Sequence, residues 1–181
     1  MTRRAPLPDL RVEPLRSEHD RSAFSCGVED LDRYLKTQAG QDVRRRANAV
    51  FVLTSVDAPR RILGYFTLCA TALPHGDVPE AARKHVPRHP LVSATLIGRL
   101  AVEKTNQGQG LGGLLLARAL RKSLQSADSV GSCMVVVDAI DEGAVAFYEA
   151  HGFVRLPESL RLILPMKVIE KMIGGPPAAS P

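Results

Sequence analysis

The sequence predicts a mixed α/β fold in one domain, because strand-like and helix-like segments alternate along a chain of 181 residues. Residues 49–56 and 62–70 are rich in β-branched and aromatic residues and enclose a short turn, which predicts a hairpin. Further on, two apolar strands, Leu91–Val102 and residues 133–139, enclose a helical segment. The chain therefore begins with antiparallel strands and continues with a strand–helix–strand core.

Local patterns predict the remaining elements. Apolar side chains recur at helical spacing over residues 30–46, with a break expected at Gly40. Gly152 is placed to end a short helix that starts at residue 142. We also predict a strand at 10–15, a loop with one short helix at 74–90, a helix at 111–127, and strands at 153–156 and 159–165. The domain is expected to span residues 9–170, and residues 171–181, rich in Pro, Gly and Ser, to form a disordered tail.

Composition excludes several classes of protein. Hydrophobic residues make up 45% and charged residues 24% of the chain, as in ordinary globular proteins. No window approaches the roughly 18 apolar residues of a membrane helix, and no apolar segment follows the N-terminal arginines as in a secretory signal. The three cysteines form no CxxC motif, and the five histidines show no metal spacing. We therefore expect a cytoplasmic protein with reduced thiols, no bound metal and no membrane partner.

The positive charge is clustered. Lys and Arg number 24 against 19 for Asp and Glu, a net charge of +5. One cluster is the consecutive triplet Arg44, Arg45 and Arg46, and a second contains Arg83, Lys84 and Arg88 together with two histidines. Such clusters are either solvated surface or a face that contacts phosphates.

The turn before the third predicted helix contains four glycines in six residues: Gly108, Gly110, Gly112 and Gly113. Glycine weakens a helix, so a bare backbone must be needed there. At a helix N-terminus the unpaired N–H groups and the helix dipole favour an anion, and glycine allows a phosphate to approach. The turn lacks the Lys-Ser/Thr of a Walker loop and the strict GxGxxG spacing of a dinucleotide fold. A phosphate or pyrophosphate cradle and a purely structural turn remain as alternatives.

Two motifs resemble those of one enzyme family. Residues 107–112, QGQGLG, match the Q/R-x-x-G-x-G/A pyrophosphate turn of the GCN5-related N-acetyltransferases. Residues 144–153, AVAFYEAHGF, match the A-x-x-F-Y-x-x-x-G-F helix and strand of the same superfamily. The resemblance covers roughly residues 49–165. It implies a mixed central sheet with two parallel strands that splay apart, flanking helices, and acetyl-CoA as acetyl donor.

The resemblance also implies which residues bind acetyl-CoA. The pantetheine arm would lie between the splayed strands and pair with the backbone of Leu100–Val102 as an added strand does. The N–H of Val102 would polarise the thioester oxygen. The predicted cofactor-binding residues are Leu100, Ala101, Val102, Gln107, Gly108, Gln109, Gly110, Leu111, Gly112, Gly113, Ala144 and Phe147. Gly113 departs from the family, in which a larger residue is common, and is expected to loosen the first helical turn.

Tyr148 is the predicted catalytic residue. Its phenol, with a reference pKa of about 10, would return a proton to the departing CoA thiolate. The alternative is that Tyr148 is only a packed aromatic. A strong base is unnecessary because an α-amine with a pKa near 8 is partly neutral, and Glu103 is expected to be a solvated side chain. Asp138 is expected to cap the next turn, and Cys26 and Cys133 to be apolar fillers.

The N-terminal third narrows the resemblance. Residues 24–35, FSCGVEDLDRYL, resemble the opening of the acetyltransferase toxins of bacterial type II toxin–antitoxin systems, as does IGRLAV before the glycine turn. Those toxins acetylate the α-amino group of aminoacyl-tRNA by direct transfer and stop translation. The resemblance implies a small ribbon-helix-helix antitoxin as partner and leaves a homodimer open. The tRNA would contact Arg44, Arg45, Arg46, Arg83, Lys84 and Arg88.

Two other functions remain open from the sequence. The chain is an acetyltransferase for a small amine or a protein N-terminus if its basic clusters are merely solvated. It is a non-catalytic nucleotide or nucleic-acid binder if the glycine turn serves phosphate alone. Tyr148 argues against the second alternative, because pure binding needs no phenol beside a thioester. The residues 24–35 motif and the arginine triplet favour the toxin over the first.

Overall fold

The structure of the protein is a computed structural model that describes residues 8–174. Its strands and helices follow the chain as β1 (Leu10–Pro14), α1 (Glu29–Thr37), α2 (Ala39–Arg45), β2 (Ala49–Ser55), β3 (Gly64–Pro74), α3 (Glu80–Arg83), β4 (Leu91–Val102), α4 (Leu111–Ala127), β5 (Met134–Asp138), α5 (Glu142–Ala150), β6 (Val154–Arg155), β7 (Arg161–Pro165) and α6 (Met166–Ile173). Short 3-10 turns at His75–Asp77 and Lys104–Asn106 precede α3 and α4.

The strands form one seven-stranded mixed sheet in the order β1-β2-β3-β4-β5-β7-β6. The β1–β2, β2–β3, β5–β7 and β6–β7 pairs are antiparallel, whereas β4 and β5 are parallel and joined through α4. This confirms the predicted fold class, including the antiparallel start and the strand–helix–strand core.

The parallel pair is short. Its register runs from Ala94↔Met134 to Ile97↔Val137, and β4 then continues for five residues beyond this register, to Val102. β5 instead continues its antiparallel pairing with β7 as far as Asp138↔Arg161. The end of β4 that carries Leu100, Ala101 and Val102 therefore extends past its described parallel pairing.

The chain divides into two compact units. Among the described residues, unit 1 comprises residues 8–68 and Arg99–Arg118, and unit 2 comprises Cys69–Gly98 and residues 119–174. The core of unit 1 packs α1 onto β2 and β3 through Phe24, Leu35 and Tyr65, which are at most 3% exposed. The Tyr65 hydroxyl donates to the Leu31 carbonyl at 2.7 Å, so this buried phenol is satisfied.

The core of unit 2 is built on β5, whose residues Met134–Val137 are fully buried. Apolar side chains of β4, β7 and the α3 segment pack against it, including Val92, Val86 and Ile163. β5 thus has the continuous burial that its unbroken apolar run predicts. Cys133 precedes this strand and is only partly buried.

The structure differs from the sequence-based expectations at three places. The first helix breaks at Gln38, with φ −119°, and Gly40 lies inside α2. α6 was not predicted, although the Gly174 that ends it has the left-handed φ of 63° typical of a C-terminal glycine. Residues 171–173, expected in the disordered tail, are helical, and residues 175–181 lie outside the described part of the chain. Among residues 8–174, no helix is long and apolar enough to cross a membrane.

Candidate active site

The glycine turn between β4 and α4 requires glycine at two positions. Gly108 and Gly110 have φ angles of +76° and +83°, a backbone conformation that side chains disfavour. A Cβ built at either residue meets no described atom within 4 Å, so this side of the turn is open. The helix starts at Leu111, and the Leu114 N–H already donates to the Gly110 carbonyl. The N–H groups of residues 111–113 precede the first helical hydrogen bond and are free to bind an anion.

The Gln107 side chain holds the turn in place. Its amide nitrogen donates to the carbonyl of Cys26 at 2.8 Å and to that of Val102 at 2.9 Å. Both amide hydrogens are therefore used within the protein. Gln107 ties the end of β4 to the segment before α1, which is a role that the motif alone did not indicate.

The first turn of α4 is helical although it contains Gly112 and Gly113. The helix is held by its apolar face, on which Leu111, Leu115 and Leu116 are at most 3% exposed. Burial of leucines at about 1.5–3 kcal/mol each outweighs the roughly 1 kcal/mol that each glycine costs. The expected loosening of this turn by Gly113 is therefore not seen in the helix bounds.

Gly64, at the start of β3, sets the position of the end of β4. A Cβ at residue 64 would lie 2.8 Å from the Ala101 carbonyl oxygen and 3.2 Å from Cδ2 of Leu115. The neighbouring backbone is also fixed, since the Glu103 N–H donates to the Leu63 carbonyl at 2.8 Å. Glycine at 64 thus permits a close approach of β3 to the segment that carries the predicted thioester-binding residues.

Glu103 is not the solvated side chain that we expected. Its side chain is only 14% exposed, and Oε2 accepts a hydrogen bond from Nη2 of Arg61 at 2.9 Å. Both residues line a cavity of about 510 Å³ together with Phe24 and Ile62. This ion pair joins the β2–β3 turn to the residue that follows β4.

Arg99, just before the predicted pantetheine-binding residues, stacks on an aromatic ring. Its Cζ lies 3.5 Å from the centroid of Tyr34. The Tyr34 hydroxyl donates to Asp42 Oδ2 at 2.8 Å, and Asn48 donates to the same oxygen at 2.9 Å. The Tyr34 hydrogen bond lowers the pKa of Asp42, and burial raises the pKa of Tyr34. This network links α1, α2 and β4.

Tyr148 lies on α5 in unit 2, and its side chain is largely buried at 8% exposure. Its ring packs edge-on against Phe147 and Phe153, with centroids 5.2 and 5.4 Å away. Burial raises the pKa of the phenol to about 12, so the hydroxyl is protonated at neutral pH. Within residues 8–174 the Tyr148 hydroxyl has no hydrogen-bond partner. Its oxygen is not completely buried. The phenol is thus available to a ligand.

The N-cap of α5 is Asp141, and the expectation that Asp138 caps this turn was wrong. The Asp141 side chain accepts a hydrogen bond from the Ala144 N–H at 2.8 Å. Asp138, at the end of β5, instead forms a bidentate pair with Arg161, at 2.7 and 2.9 Å. The register Asp138↔Arg161 between β5 and β7 brings these two side chains together, a long-range contact with no local signal.

The two basic clusters lie in different units. In unit 1, Arg44, Arg45 and Arg46 are exposed and lie at the C-terminus of α2, where cations favour the helix dipole. Arg45 contributes to the lowered pKa of Asp42, after the hydrogen bonds from Tyr34 and Asn48. Arg44 points elsewhere, with Nη1 near Gly40. Consecutive helical residues diverge, so the triplet does not form one face.

In unit 2, one member of the second basic cluster has a structural role. Arg83 Nε donates to the Val78 carbonyl at 2.9 Å and Nη2 to the Gly76 carbonyl at 3.3 Å, which fixes the loop before α3. Lys84 and Arg88 are exposed.

Cys26 has the burial expected of an apolar filler, whereas Cys133 is only partly buried. Cys26 is buried, its N–H donates to Asp32 at 2.8 Å, and burial raises the pKa of its thiol to about 11. Such a thiol is a poor nucleophile at neutral pH. Within residues 8–174, no group of His, Cys, Asp or Glu side chains is arranged to hold a metal ion.

The predicted site residues fall into two groups, each within one unit. Unit 1 holds the end of β4 and the glycine turn: Leu100, Ala101, Val102, Gln107, Gly108, Gln109, Gly110, Leu111, Gly112 and Gly113. Unit 2 holds the α5 residues Ala144, Phe147 and Tyr148. In unit 1 a glycine turn leads from the end of β4 into α4, and in unit 2 the Tyr148 phenol has no hydrogen-bond partner among the described residues. Each feature is one expected of an acyl-CoA-dependent acyltransferase.

Comparison with known proteins agrees with this class. The chain belongs to the acetyltransferase (GNAT) domain family, whose model matches residues 49–155. Among curated relatives, a tRNA-acetylating toxin of Mycobacterium tuberculosis is 35% identical over 156 residues, which cover 86% of this chain and 91% of that protein.

Two solved structures extend the similarity. The toxin AtaT complexed with acetyl-methionyl-tRNAfMet has a TM-score of 0.83 and 30% identity, covering 91% of this chain and 99% of that one. A variant of AtaT bound to the C-terminus of the antitoxin AtaR and to acetyl-CoA has a TM-score of 0.78 and 28% identity, covering 92% and 99%.

Proposed function

We propose that the protein is a cytoplasmic toxin that transfers acetyl from acetyl-CoA to the α-amino group of aminoacyl-tRNA and so blocks translation. The observation that carries the catalytic part is the Tyr148 phenol, which is protonated and has no partner within the described chain. The acceptor class is supported by the similarity to a tRNA-acetylating toxin and to a toxin solved with an acetylated aminoacyl-tRNA.

The glycine turn and the end of β4 are suited to bind acetyl-CoA, the proposed acetyl donor. The open side of the turn at Gly108 and Gly110, which a Cβ would enter, leaves room for pyrophosphate beside the first N–H groups of α4. The end of β4 past Ile97 offers backbone to the pantetheine amides. Acetyl-CoA supplies an activated acyl group on a good leaving thiol. The N–H of Val102 is the proposed donor to the thioester oxygen.

Tyr148 is the proposed general acid. The amine nitrogen forms a bond to the acetyl carbon, and the Tyr148 hydroxyl gives a proton to the sulfur as the C–S bond breaks. The nitrogen loses a proton to water, and the Tyr148 phenolate takes one back from water, so the free enzyme is restored. A phenol with a pKa of about 12 keeps its proton over the whole pH range in which an α-amine becomes neutral. The acceptor must therefore be deprotonated for attack while Tyr148 remains an acid. No further base is needed for an amine with a pKa near 8 or below.

An antitoxin is the proposed partner, because a structural neighbour is solved with the C-terminus of its antitoxin. The resemblance to the toxin family implies that this antitoxin is a small ribbon-helix-helix protein. Co-expression with such a protein, encoded beside this chain, should abolish growth arrest.

The test is acetylation of charged tRNA by the purified protein with labelled acetyl-CoA. We expect transfer to aminoacyl-tRNA and none to uncharged tRNA. Tyr148→Phe keeps the ring packing against Phe153 and removes only the hydroxyl, so it should bind acetyl-CoA as before while kcat falls about 10²-fold or more. On expression in a bacterium, wild type should arrest growth and this variant should not. A Tyr148→Phe enzyme as fast as wild type would remove the general-acid role.

A matched acceptor separates tRNA from small amines. The methyl ester of the same amino acid presents the same α-amine without the nucleic acid. If the ester is acetylated with the same kcat/KM as charged tRNA, the protein is a small-amine acetyltransferase, and the toxin proposal fails while Tyr148 retains its role.

A further inference from the structure

A cavity in unit 1 is lined by three arginines and no acidic residue. Its volume is about 180 Å³, and its lining comprises Arg16, Arg21 and Arg44 with Ser17, Gly40, Leu15 and Val43. None of the three guanidinium groups forms an ion pair within the described chain. Arg16 is close enough to Glu13 to contribute to its lowered pKa, but the main cause is the hydrogen bond of that carboxylate with His19.

Two of these guanidinium groups, those of Arg21 and Arg44, lie close to Gly40. The ideal Cβ position at Gly40 lies 3.1 Å from Nη1 of Arg21 and 3.4 Å from Nη1 of Arg44. The two nitrogens are therefore at most 6.5 Å apart. Like charges at this separation repel each other, and a bound anion would remove the repulsion. Glycine at 40 leaves the space between them open.

The cavity is suited to one tetrahedral phosphate. Guanidinium groups bind phosphate oxygens through paired N–H donors, and the Ser17 hydroxyl adds a further donor. A cavity of about 180 Å³ is many times larger than the space that one water molecule requires, so it has room for a phosphate group.

Positive charge continues beyond this cavity. Arg21 also lines a neighbouring cavity of about 420 Å³, together with Lys36 and Arg60. The acid there, Asp20, is occupied by the Ser22 hydroxyl at 2.6 Å and the Ser22 N–H at 3.1 Å. A polymer with regularly spaced phosphates can occupy both cavities, whereas a free ion fills one. The continuity favours a nucleic-acid backbone.

We propose that Arg16, Arg21 and Arg44 bind a backbone phosphate of the acceptor RNA, next to a second contact at Lys36 and Arg60. The proposal rests on the proposed function for its ligand. The proposal replaces the prediction that the consecutive residues Arg44, Arg45 and Arg46 contact the tRNA together. Arg44 belongs to this phosphate site, whereas Arg45 lies near Asp42 and does not.

Gly40 provides the sharpest test. Gly40→Asp places a carboxylate between Arg21 and Arg44 and closes the site with an internal ion pair. Gly40→Asn is the matched control, because it has the same shape without the charge. An acidic residue in the first turn of α2 also favours the helix dipole, so the Asp variant should fold. Arg21→Ala and Arg44→Ala remove the cations directly, and Arg11→Ala removes one charge outside the cavity lining.

The assay is binding of labelled aminoacyl-tRNA to the full chain across a salt series. Gly40→Asp, Arg21→Ala and Arg44→Ala should each weaken binding about tenfold, as expected for a lost charge-assisted contact. Each should also reduce the slope of log affinity against log salt by about 0.7–0.9, the value for one phosphate. Gly40→Asn and Arg11→Ala should keep the wild-type slope. Acetylation of the amino-acid ester should be unchanged in all of them.

Two outcomes overturn the proposal. Equal tRNA binding by Gly40→Asp and Gly40→Asn would show that the site holds no RNA phosphate. Calorimetric binding of inorganic phosphate that Gly40→Asp abolishes, with tRNA binding unchanged, would make it a small-anion site instead. Failure of the proposed function looks different: wild type then leaves every charged tRNA unacetylated, whereas failure of this inference leaves wild type and variants equally active.

Discussion

Replacing Gly64 by alanine tests whether the close approach of β3 positions the end of β4. The new methyl group would lie 2.8 Å from the carbonyl oxygen of Ala101, a distance that real Cβ atoms essentially never show. The obstacle is backbone rather than a flexible side chain, so β4 must move. Overpacking of this kind costs about 1–3 kcal/mol. A protein of this size should lose about 2–4 °C of melting temperature per kcal/mol.

The displaced segment is the one proposed to bind the pantetheine arm. Gly64→Ala should therefore weaken acetyl-CoA binding in calorimetry as well as lowering the free energy of unfolding in urea. Gly131→Ala is the control, since a Cβ there meets no described atom within 4 Å and φ lies outside the left-handed region. That change should be neutral or stabilise by about 0.4–1 kcal/mol. If Gly64→Ala is as stable as wild type and binds acetyl-CoA equally, β4 is not held as argued.

Three further predictions concern the turn, the α5 cap and the phenol. Gly110→Asp should abolish acetyl-CoA binding in calorimetry. Gly110→Asn has the same backbone strain at φ +83° but no charge, so it should bind acetyl-CoA better than Gly110→Asp does. If both variants lost binding equally, backbone strain alone would explain the loss. Asp141→Ala should cost about 1 kcal/mol in urea unfolding through the lost cap, and Asp138→Ala less, because its pair with Arg161 is partly exposed. The pKa of the Tyr148 phenol is near 10 in the unfolded chain and about 12 in the folded one. As the pH rises from 10 to 12, the free energy of unfolding of the wild type should therefore fall by about 2–3 kcal/mol relative to that of Tyr148→Phe. If the difference in unfolding free energy between wild type and Tyr148→Phe stayed constant over that pH range, the Tyr148 phenol would not be in a buried environment.

Much of the fold could be predicted because its signals are local. The unbroken apolar run of β5 indicated burial on both faces, and the positive φ of Gly110 and Gly152 matches their predicted places at a turn and a helix end. α6 also carries such a local signal, because Gly174 at its C-terminus has a left-handed φ. Gly64 also had one: an isolated glycine in a strand pattern often marks a close backbone approach.

The contacts that set the site are long-range, and no spacing rule predicts them. Gln107 matched the motif, but its bonds to Cys26 and Val102 depend on how the segment before α1 folds against β4. Asp138 and Asp141 lie three residues apart and are both plausible caps by type. The β5–β7 register, which places Arg161 opposite Asp138, decides between them.

The basic residues show why a run of like charges in the sequence does not equal a patch on the surface. Successive side chains on a helix point about 100° apart, so Arg44 and Arg45 diverge, and one faces Arg21 while the other lies near Asp42. Arg16 and Arg21 precede α1 and belong to no charge run, so no local pattern groups them with Arg44. Only the packing of α2 against the β1–α1 connection brings the three together. A phosphate site built this way depends on helix placement, and for that reason Gly40, which carries no charge, is its most informative residue.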